Sequence, residues 1–101
     1  MVELGFDARS HRLSVAGGCS VQDCPRIVEA MESFADLAQV LVLDLSPLSS
    51  LPLEVAATLV EACRELEQDG VRVDVTVIND HPVARRWQMA QAERGQPQPA
   101  E

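Results

Sequence analysis

The sequence predicts an α/β fold: one mixed β-sheet of four to five strands in a single layer, with helices packed on one face only. Segments with an apolar period of two alternate along the chain with segments whose apolar residues recur at helical spacing. Three of the four segments predicted as strands alternate apolar with polar residues, so one face of the sheet should be polar. A chain of 101 residues is long enough for one such domain.

A β-hairpin is predicted in the first segment of the chain. Apolar side chains alternate with polar or small ones over residues 2–7 and again over residues 12–16, with a polar break between them. A Gly-Gly pair then ends the second strand. A helix follows in which Asp23 can serve as the N-cap and Pro25 fits the first turn. The helix face expected to pack on the sheet consists of Ile27 or Val28, Met31, Phe34, and Leu37 or Ala38.

A central strand and a second long helix are predicted next. Residues 40–43 form an uninterrupted apolar run typical of a central strand, and residues 46–51 are predicted to form a loop. The helix is predicted to open with Pro52, with Ser50 or a neighbour as its cap, and to run towards Asp69. Its expected buried stripe consists of Val55, Ala56, Leu59, Ala62, Cys63 and Leu66.

The last third of the chain predicts one more strand and one more helix. Gly70 stands where the preceding helix needs a left-handed residue, and residues 71–78 alternate as a strand with one exposed face. A last helix is predicted to start near His81. We expect the domain to span residues 1–94 and residues 95–101 to be a disordered tail. The residues of the last helix expected to turn inward are Val83, Trp87 and Ala90.

Composition argues against several classes of function. The 16 acidic residues outnumber the 8 basic ones and give a formal net charge of −8, so the chain should repel a phosphate backbone and not bind nucleic acid. No apolar run approaches the length of a membrane span. All eight basic residues are arginine, which argues against a kinase or nucleotidase whose phosphate-binding loop needs lysine. His11 and His81 stand beside no obvious nucleophile, so neither an enzyme nor a cofactor is expected.

Three cysteines bear on the cellular compartment. Cys19, Cys24 and Cys63 are an odd number, and the start of the chain shows neither a basic region nor a long apolar stretch. We therefore expect a cytoplasmic protein with reduced thiols. The spacing of Cys19 and Cys24 lacks a second pair, so no metal site is expected.

Residues 41–55, with the sequence LVLDLSPLSSLPLEV, resemble the STAS domain of anti-sigma factor antagonists and sulphate transporter tails. Members of that family look like Val-Leu-Asp-Leu-Ser-Gly-Val, then a few residues, then Asp-Ser-Ser-Gly opening a long helix. Asp44, Gly70 and the stretch 82–89 match that pattern in order and spacing, and the resemblance covers nearly the whole chain. It implies a STAS-like version of the predicted fold and a role in bacterial transcription regulation through protein binding.

The chain departs from the family pattern at the modified residue. Pro52, Leu53, Glu54 and Val55 stand where the family has Asp-Ser-Ser-Gly, so Leu53 takes the place of the serine that a partner kinase phosphorylates. Leucine has no hydroxyl to accept a phosphate. Ser20 similarly falls where the family has an acid after the second strand. The resemblance therefore implies a domain that is not switched at the usual site.

Three further polar residues near that position have two readings each. Ser49 and Ser50 are candidate substitute acceptors, although aligning them with the motif shifts the helix by about one turn. They could instead satisfy N–H groups at the helix start. Glu54 either interacts favourably with the helix dipole or imitates part of the charge of a phosphate.

The function implied by the resemblance is that of a non-enzymatic protein-interaction domain, similar to an anti-sigma factor antagonist. Its partner would be an anti-sigma factor or a GHKL-type kinase. The alternative is a scaffold subunit of a lipid-transport complex that binds an ABC-type ATPase, and a small-molecule sensor has less support. An edge strand also allows a homodimer. The predicted partner-binding residues, with Leu51 and Leu53 expected to be exposed, are Ser46, Ser49, Ser50, Leu51, Pro52, Leu53, Glu54 and Ala56.

Overall fold

Five strands and three α-helices make up the part of the chain that the structure, a computed structural model, describes: residues 2–78 and 81–92. The predicted tail and the last two residues of the predicted domain lie outside that part. The elements in chain order are β1 (Val2–Asp7), β2 (Arg12–Gly18), a 3₁₀ turn (Val21–Asp23), α1 (Cys24–Ala38), β3 (Val40–Asp44), β4 (Leu48–Ser50), α2 (Leu53–Gln68), β5 (Arg72–Thr76) and α3 (Pro82–Ala90). None of these helices is long and apolar enough to cross a bilayer.

The sheet is mixed, with the strand order β1-β2-β3-β5. β1 runs antiparallel to β2 as a hairpin, whereas β3 pairs parallel with both β2 and β5. β4 pairs parallel with the end of β2, beyond the residues that β3 occupies. The predicted mixed α/β sheet is therefore confirmed.

The helices cover one face of this sheet. Leu13 and Val15 on β2 and Leu41 and Leu43 on β3 are fully buried on the covered face, where α1 contacts both strands and α2 contacts β5. Positions between them, such as Ser14, are only half-buried. The single layer of helices predicted from the alternating strands is confirmed.

The buried face of α1 differs in part from the prediction. Ile27 and Met31 are fully buried as predicted, and the stripe continues through Ala35. Phe34 is half-buried and its ring stacks on Phe6 of β1, with ring centroids 3.7 Å apart. Leu37, predicted as a possible core residue, is 78% exposed. Residues 27, 31 and 35 form one stripe at a spacing of four, and position 37 lies on the opposite side of the helix.

Helix α2 has the predicted buried stripe, and all six of its predicted core residues are buried. The helix ends in a Schellman motif: the Gly70 N–H donates to the Glu67 carbonyl at 3.0 Å and the Val71 N–H donates to the Leu66 carbonyl at 2.9 Å. Gly70 has a φ of +92°, the left-handed conformation that the sequence predicted.

Helix α3 begins as predicted. His81 is its N-cap, and the imidazole Nδ1 accepts a hydrogen bond from the Val83 N–H at 3.1 Å. Val83, Trp87 and Ala90 are buried, mainly against α2.

Three local predictions between β3 and α3 need correction. The loop predicted over residues 46–51 contains β4, which was too short to show a strand pattern. Ser50 lies in that strand and does not cap α2, because Pro52 occupies the N-cap position and no side chain caps it. β5 is shorter than the predicted run and ends at Thr76.

Candidate functional site

The residues predicted to bind a partner lie at the edge of the sheet where β2 and β4 end. Because β2 and β4 are parallel, their carboxyl ends meet at the same edge, and the segments that lead into α1 and α2 leave from there. This arrangement brings the loop of residues 19–23 next to the segment of residues 49–54. We call these two segments together the α2 entry surface.

The end of β2 lies close to β4. Gly17 pairs with Leu48, and its N–H donates to the Pro47 carbonyl at 3.4 Å. Its φ of +94° is a conformation that favours glycine. A Cβ atom at Gly18 would lie 3.8 Å from the Ser50 hydroxyl oxygen. β4 therefore lies directly against the end of β2.

Leu53 is the first residue of α2 and stands at the mouth of that helix. It was expected to be exposed but is half-buried: part of its side chain packs on the hydrophobic core and the rest is accessible. Pro52 before it is also half-buried, whereas Ser49, Ser50 and Glu54 are exposed. In sequence, Leu53 is thus close to accessible polar side chains on both sides.

Two residues predicted to bind a partner are buried. Leu51, expected to be exposed, is only 3% exposed, and Ala56 is fully buried. Leu51 lies in the segment between β4 and α2, and its carbonyl accepts a hydrogen bond from Arg86 of α3 at 3.4 Å. The packing of α3 against β4 and α2 turns Leu51 inward, which its position before Pro52 did not reveal. Leu51 and Ala56 therefore support the surface from beneath.

Ser46 is also engaged within the protein. Its hydroxyl donates to the Asp44 carboxylate at 2.6 Å and its backbone N–H donates to the same oxygen at 3.0 Å. Arg12 Nη1 lies 3.0 Å from the other carboxylate oxygen. Burial raises the pKa of Asp44, but the hydrogen bonds from Ser46 and Arg12 outweigh it and hold the pKa below its usual value. The motif carboxylate thus fixes the turn after β3.

A second carboxylate organises the loop before α1. Asp23 occupies the N-cap position of α1 as predicted, but its carboxylate makes no cap hydrogen bond there and reaches back to Ser20 instead. It accepts from the Ser20 N–H at 2.9 Å and from the Ser20 hydroxyl at 3.1 Å. The hydrogen bond from the Ser20 backbone is the main reason that the pKa of Asp23 lies below its usual value. Ser20 therefore serves this loop as a hydrogen-bond donor.

The thiols of the three cysteines are free and buried. Burial raises the pKa of Cys63 to about 12 and that of Cys19 to about 11, and it raises the pKa of Cys24 as well. Protonated thiols are weak nucleophiles and weak metal ligands. Within residues 2–78 and 81–92, no group of three or more His, Cys, Asp or Glu residues is arranged to hold a metal ion.

Neither histidine belongs to the α2 entry surface. His11 lies in the turn between β1 and β2, at the opposite end of β2 from Ser20. The ring of His81 caps α3 through its Nδ1. The Nδ1 of His81 is therefore occupied by the backbone of its own helix.

Two residues of this region were not identified from the sequence. Arg86 holds the chain before α2 through the Leu51 carbonyl, and only the position of α3 reveals this. Val21 is 54% exposed in the turn before α1, where it adds an apolar side chain to the same edge of the sheet as Leu53. The exposure of Val21 could have been predicted, because it lies between Ser20 and Asp23, two polar residues of a helix start.

Solved structures share this fold. One is a chain in the crystal structure of the diguanylate cyclase SiaD in complex with its activator SiaC from Pseudomonas aeruginosa, with a TM-score of 0.65 and 20% identity. The match covers 92% of this chain and 84% of that one. Another is the crystal structure of Mglu, with a TM-score of 0.57 and 22% identity over 80% of this chain. This chain corresponds to only 20% of the Mglu chain.

These similarities establish the fold. No protein-family model and no curated protein matches the chain. The same α/β arrangement makes up most of the chain from the SiaD–SiaC structure and about a fifth of the Mglu chain.

Proposed function

We propose that this chain is a non-enzymatic protein-interaction domain, similar in role to an anti-sigma factor antagonist, that binds its partner with the α2 entry surface. The observation that carries the proposal is the position of Leu53. It is a half-buried apolar side chain, still partly accessible, at the first position of a long helix, and in sequence it lies between the exposed Ser50 and Glu54. An apolar contact with a polar rim is the usual composition of a transient protein interface.

The surroundings of Leu53 favour rigid recognition. The segment before it is held by β4, by the Arg86 hydrogen bond and by the buried side chain of Leu51. A surface whose shape is fixed before binding loses little conformational entropy on association. One solved structure with this fold comes from a complex between two proteins, SiaD and SiaC, which agrees with this type of role.

We further propose that the domain is not switched by phosphorylation at the helix start. Leu53 has no hydroxyl, and Glu54 places a constant negative charge in the first turn of α2, where the helix dipole stabilises it. The charge of the chain, −8 overall, would speed association with a basic partner surface. Such a partner would recognise one permanent state of the domain.

The test is the variant Leu53→Asp, compared with Leu37→Asp as a matched control. Both replace leucine by aspartate in a helix, but Leu37 is 78% exposed on α1, away from the α2 entry surface. Aspartate in the first turn of a helix is electrostatically favourable, so Leu53→Asp should keep a native circular dichroism spectrum. In affinity capture from a lysate, a partner retained by the wild type and Leu37→Asp should be lost with Leu53→Asp.

The identity of the captured protein decides between the two functional readings. A GHKL-type kinase or an anti-sigma factor agrees with the proposal, whereas an ABC-type ATPase favours the scaffold alternative. Equal capture by all three baits would show that Leu53 does not contribute to binding. Phosphopeptide analysis after incubation with a captured kinase should find no phosphate on residues 46–56, and phosphate on Ser49 or Ser50 would contradict an unswitched domain.

A further inference from the structure

The sheet has an open edge at β5. Within the described residues, β5 pairs with β3 and with no other strand. The Arg72 N–H donates to the Gln39 carbonyl at 3.0 Å, and the Thr76 carbonyl accepts from the Leu45 N–H at 2.8 Å. In a parallel pair the backbone groups of alternate residues point to opposite sides, so those of Val73 and Val75 point away from β3. These outward groups are a template for another strand.

The side chains of β5 carry both signs of charge on the uncovered face. The side chain of Arg72 is 78% exposed and that of Asp74 is 58% exposed. Within the chain, Arg72 Nε lies 3.8 Å from Asp74 Oδ2, a distance that is long for a charge-assisted hydrogen bond. The intervening Val73 is half-buried on the face that carries the helices. The edge therefore combines opposite charges on one face with an apolar residue on the other.

Beside this edge, the covered face of the sheet has an open groove of about 780 Å³ between α2, β5 and α3. Val73, Val75, Cys63 and Trp87 contribute to its lining. The helices therefore cover β5 incompletely on the side where a further strand would lie. A second sheet paired with this edge would extend the sheet surface that lines the groove.

We propose that a second copy of this chain pairs with this edge, β5 against β5 in antiparallel orientation, about a two-fold axis that passes through Val73. The proposal rests on charge complementarity between the two copies. In this register Val73 faces Val73 with outward backbone groups on both strands, and each Arg72 lies opposite the Asp74 of the other copy. Two ion pairs with opposite charges directly across the strands then form on the uncovered face.

Other registers lack this complementarity. Residues with outward backbone groups must face each other, so a two-fold axis has to pass through a residue. An axis at Asp74 places two carboxylates against each other, and an axis at Arg72 does the same with two guanidinium groups. An axis at Val75 puts Asp74 opposite Thr76 and leaves Arg72 opposite Ile78. Only the axis at Val73 pairs both charges with their opposites.

The resulting dimer would be closed. A two-fold axis perpendicular to the sheet keeps the helices of both copies on the same face and joins the two sheets into one. Both β5 edges are paired in the dimer, so no β5 edge remains to which a third copy could add. The α2 entry surface lies at the ends of β2 and β4 and takes no part in this pairing.

Charge reversal tests both the contact and its register. In Arg72→Asp every pair across the strands becomes carboxylate against carboxylate, and in Asp74→Arg it becomes arginine against arginine. Sedimentation velocity should show a wild-type dimer, with dimerisation weakened at least ~10-fold in each variant, since like charges directly opposite are destabilising. A mixture of the two variants should restore a heterodimer, because each Asp then faces an Arg.

Matched controls separate this effect from a change of net charge. Glu3→Arg on β1 shifts the charge as Asp74→Arg does, and Arg9→Asp in the hairpin turn shifts it as Arg72→Asp does; both residues are exposed away from β5. The controls should dimerise like the wild type, and circular dichroism should show that all variants fold.

Three results would overturn the proposal: a wild-type chain that is monomeric at ~1 mM, dimerisation unaffected by the two reversals, or folded variants whose mixture stays monomeric. The proposal is independent of partner binding, since Leu53→Asp should leave the dimer intact.

Discussion

Asp44 shows how one side chain fixes the approach to the α2 entry surface. It is 8% exposed and accepts hydrogen bonds from the backbone and side chain of Ser46 and from Arg12 of β2. The carboxylate thereby joins the end of β3 to its neighbouring strand and to the turn that leads into β4. Because these donors outweigh the effect of burial, the pKa of Asp44 in the folded protein lies below its ordinary value of 3.8.

The depressed pKa sets the sign of a pH effect on stability. A carboxyl group whose pKa is lower in the folded state binds its proton more readily in the unfolded state, so its contribution is present above pH 3.8. That contribution is lost as the pH falls through the folded-state pKa. We expect Asp44→Asn to lower the free energy of unfolding by about 2 kcal/mol near neutral pH, because an uncharged amide cannot replace the charge-assisted hydrogen bonds.

Urea denaturation as a function of pH checks this prediction. The difference between wild type and Asp44→Asn should shrink as the pH is lowered through the acid range, because protonation removes the same charge from the wild type. The exposed Asp36→Asn on α1 serves as the control and should change the free energy by less than about 0.5 kcal/mol. A pH-independent difference for Asp44→Asn would mean that its charge does not carry the stabilisation.

At the scale of elements, the end of α2 determines where β5 begins. The Schellman motif at Gly70 reverses the chain and places Arg72 in register with Val40 of β3. A Cβ atom at Gly70 would meet nothing within 4 Å, so only its φ of +92° opposes a larger residue. Gly5 in β1 also has free space around a Cβ atom, but no left-handed φ. Substitution by alanine therefore meets backbone strain at Gly70 but not at Gly5, and it meets no steric contact at either position.

We expect Gly70→Ala to lower the free energy of unfolding by about 1 kcal/mol, since an L-residue is strained in the left-handed region. Gly5→Ala should be neutral or slightly stabilising, because alanine costs less conformational entropy than glycine in a strand. Thermal denaturation of the two variants measures the difference. Equal melting temperatures would show that the chain leaves the left-handed conformation at no cost.

Most of the helices and strands could be predicted from the sequence. Gly70, the stripe of α2 and the hairpin follow from local periodicity and from backbone preferences of single residues, so they were predictable. β4 was not, because three residues are too few to show a period and their order comes from pairing with Gly17 and Gly18. Leu37 was misplaced because the predicted stripe was continued from Phe34 at a spacing of three, whereas the buried stripe runs through Ala35.

The site was less predictable than the fold. The position of Leu53 near the start of α2 followed from Pro52, because proline favours the first turn of a helix. The burial of Leu51 did not, because it depends on α3, which joins the segment through Arg86 across 35 positions of sequence. Long-range packing of this kind leaves no local pattern.

At the scale of the whole molecule, charge is the dominant property. The 16 acidic and 8 basic residues give a net charge of −8 on a chain of 101 residues. Among the described residues, Arg12 pairs with Asp44 at 3.0 Å, and Arg72 lies 3.8 Å from Asp74. Repulsion among like charges is greater in the compact state than in the extended chain, so the net charge opposes folding.

Screening this repulsion should raise the stability of the protein. We expect the melting temperature to rise between about 10 mM and about 200 mM NaCl, as the Debye length falls from about 30 Å to below about 10 Å. A stabilisation of about 1 kcal/mol corresponds to about 4–8 °C for a domain of this size. In a variant with Glu29→Gln and Glu32→Gln, both exposed on α1, the net charge becomes −6 and the rise should be smaller. A melting temperature that falls with salt would instead show that favourable ion pairs outweigh the repulsion.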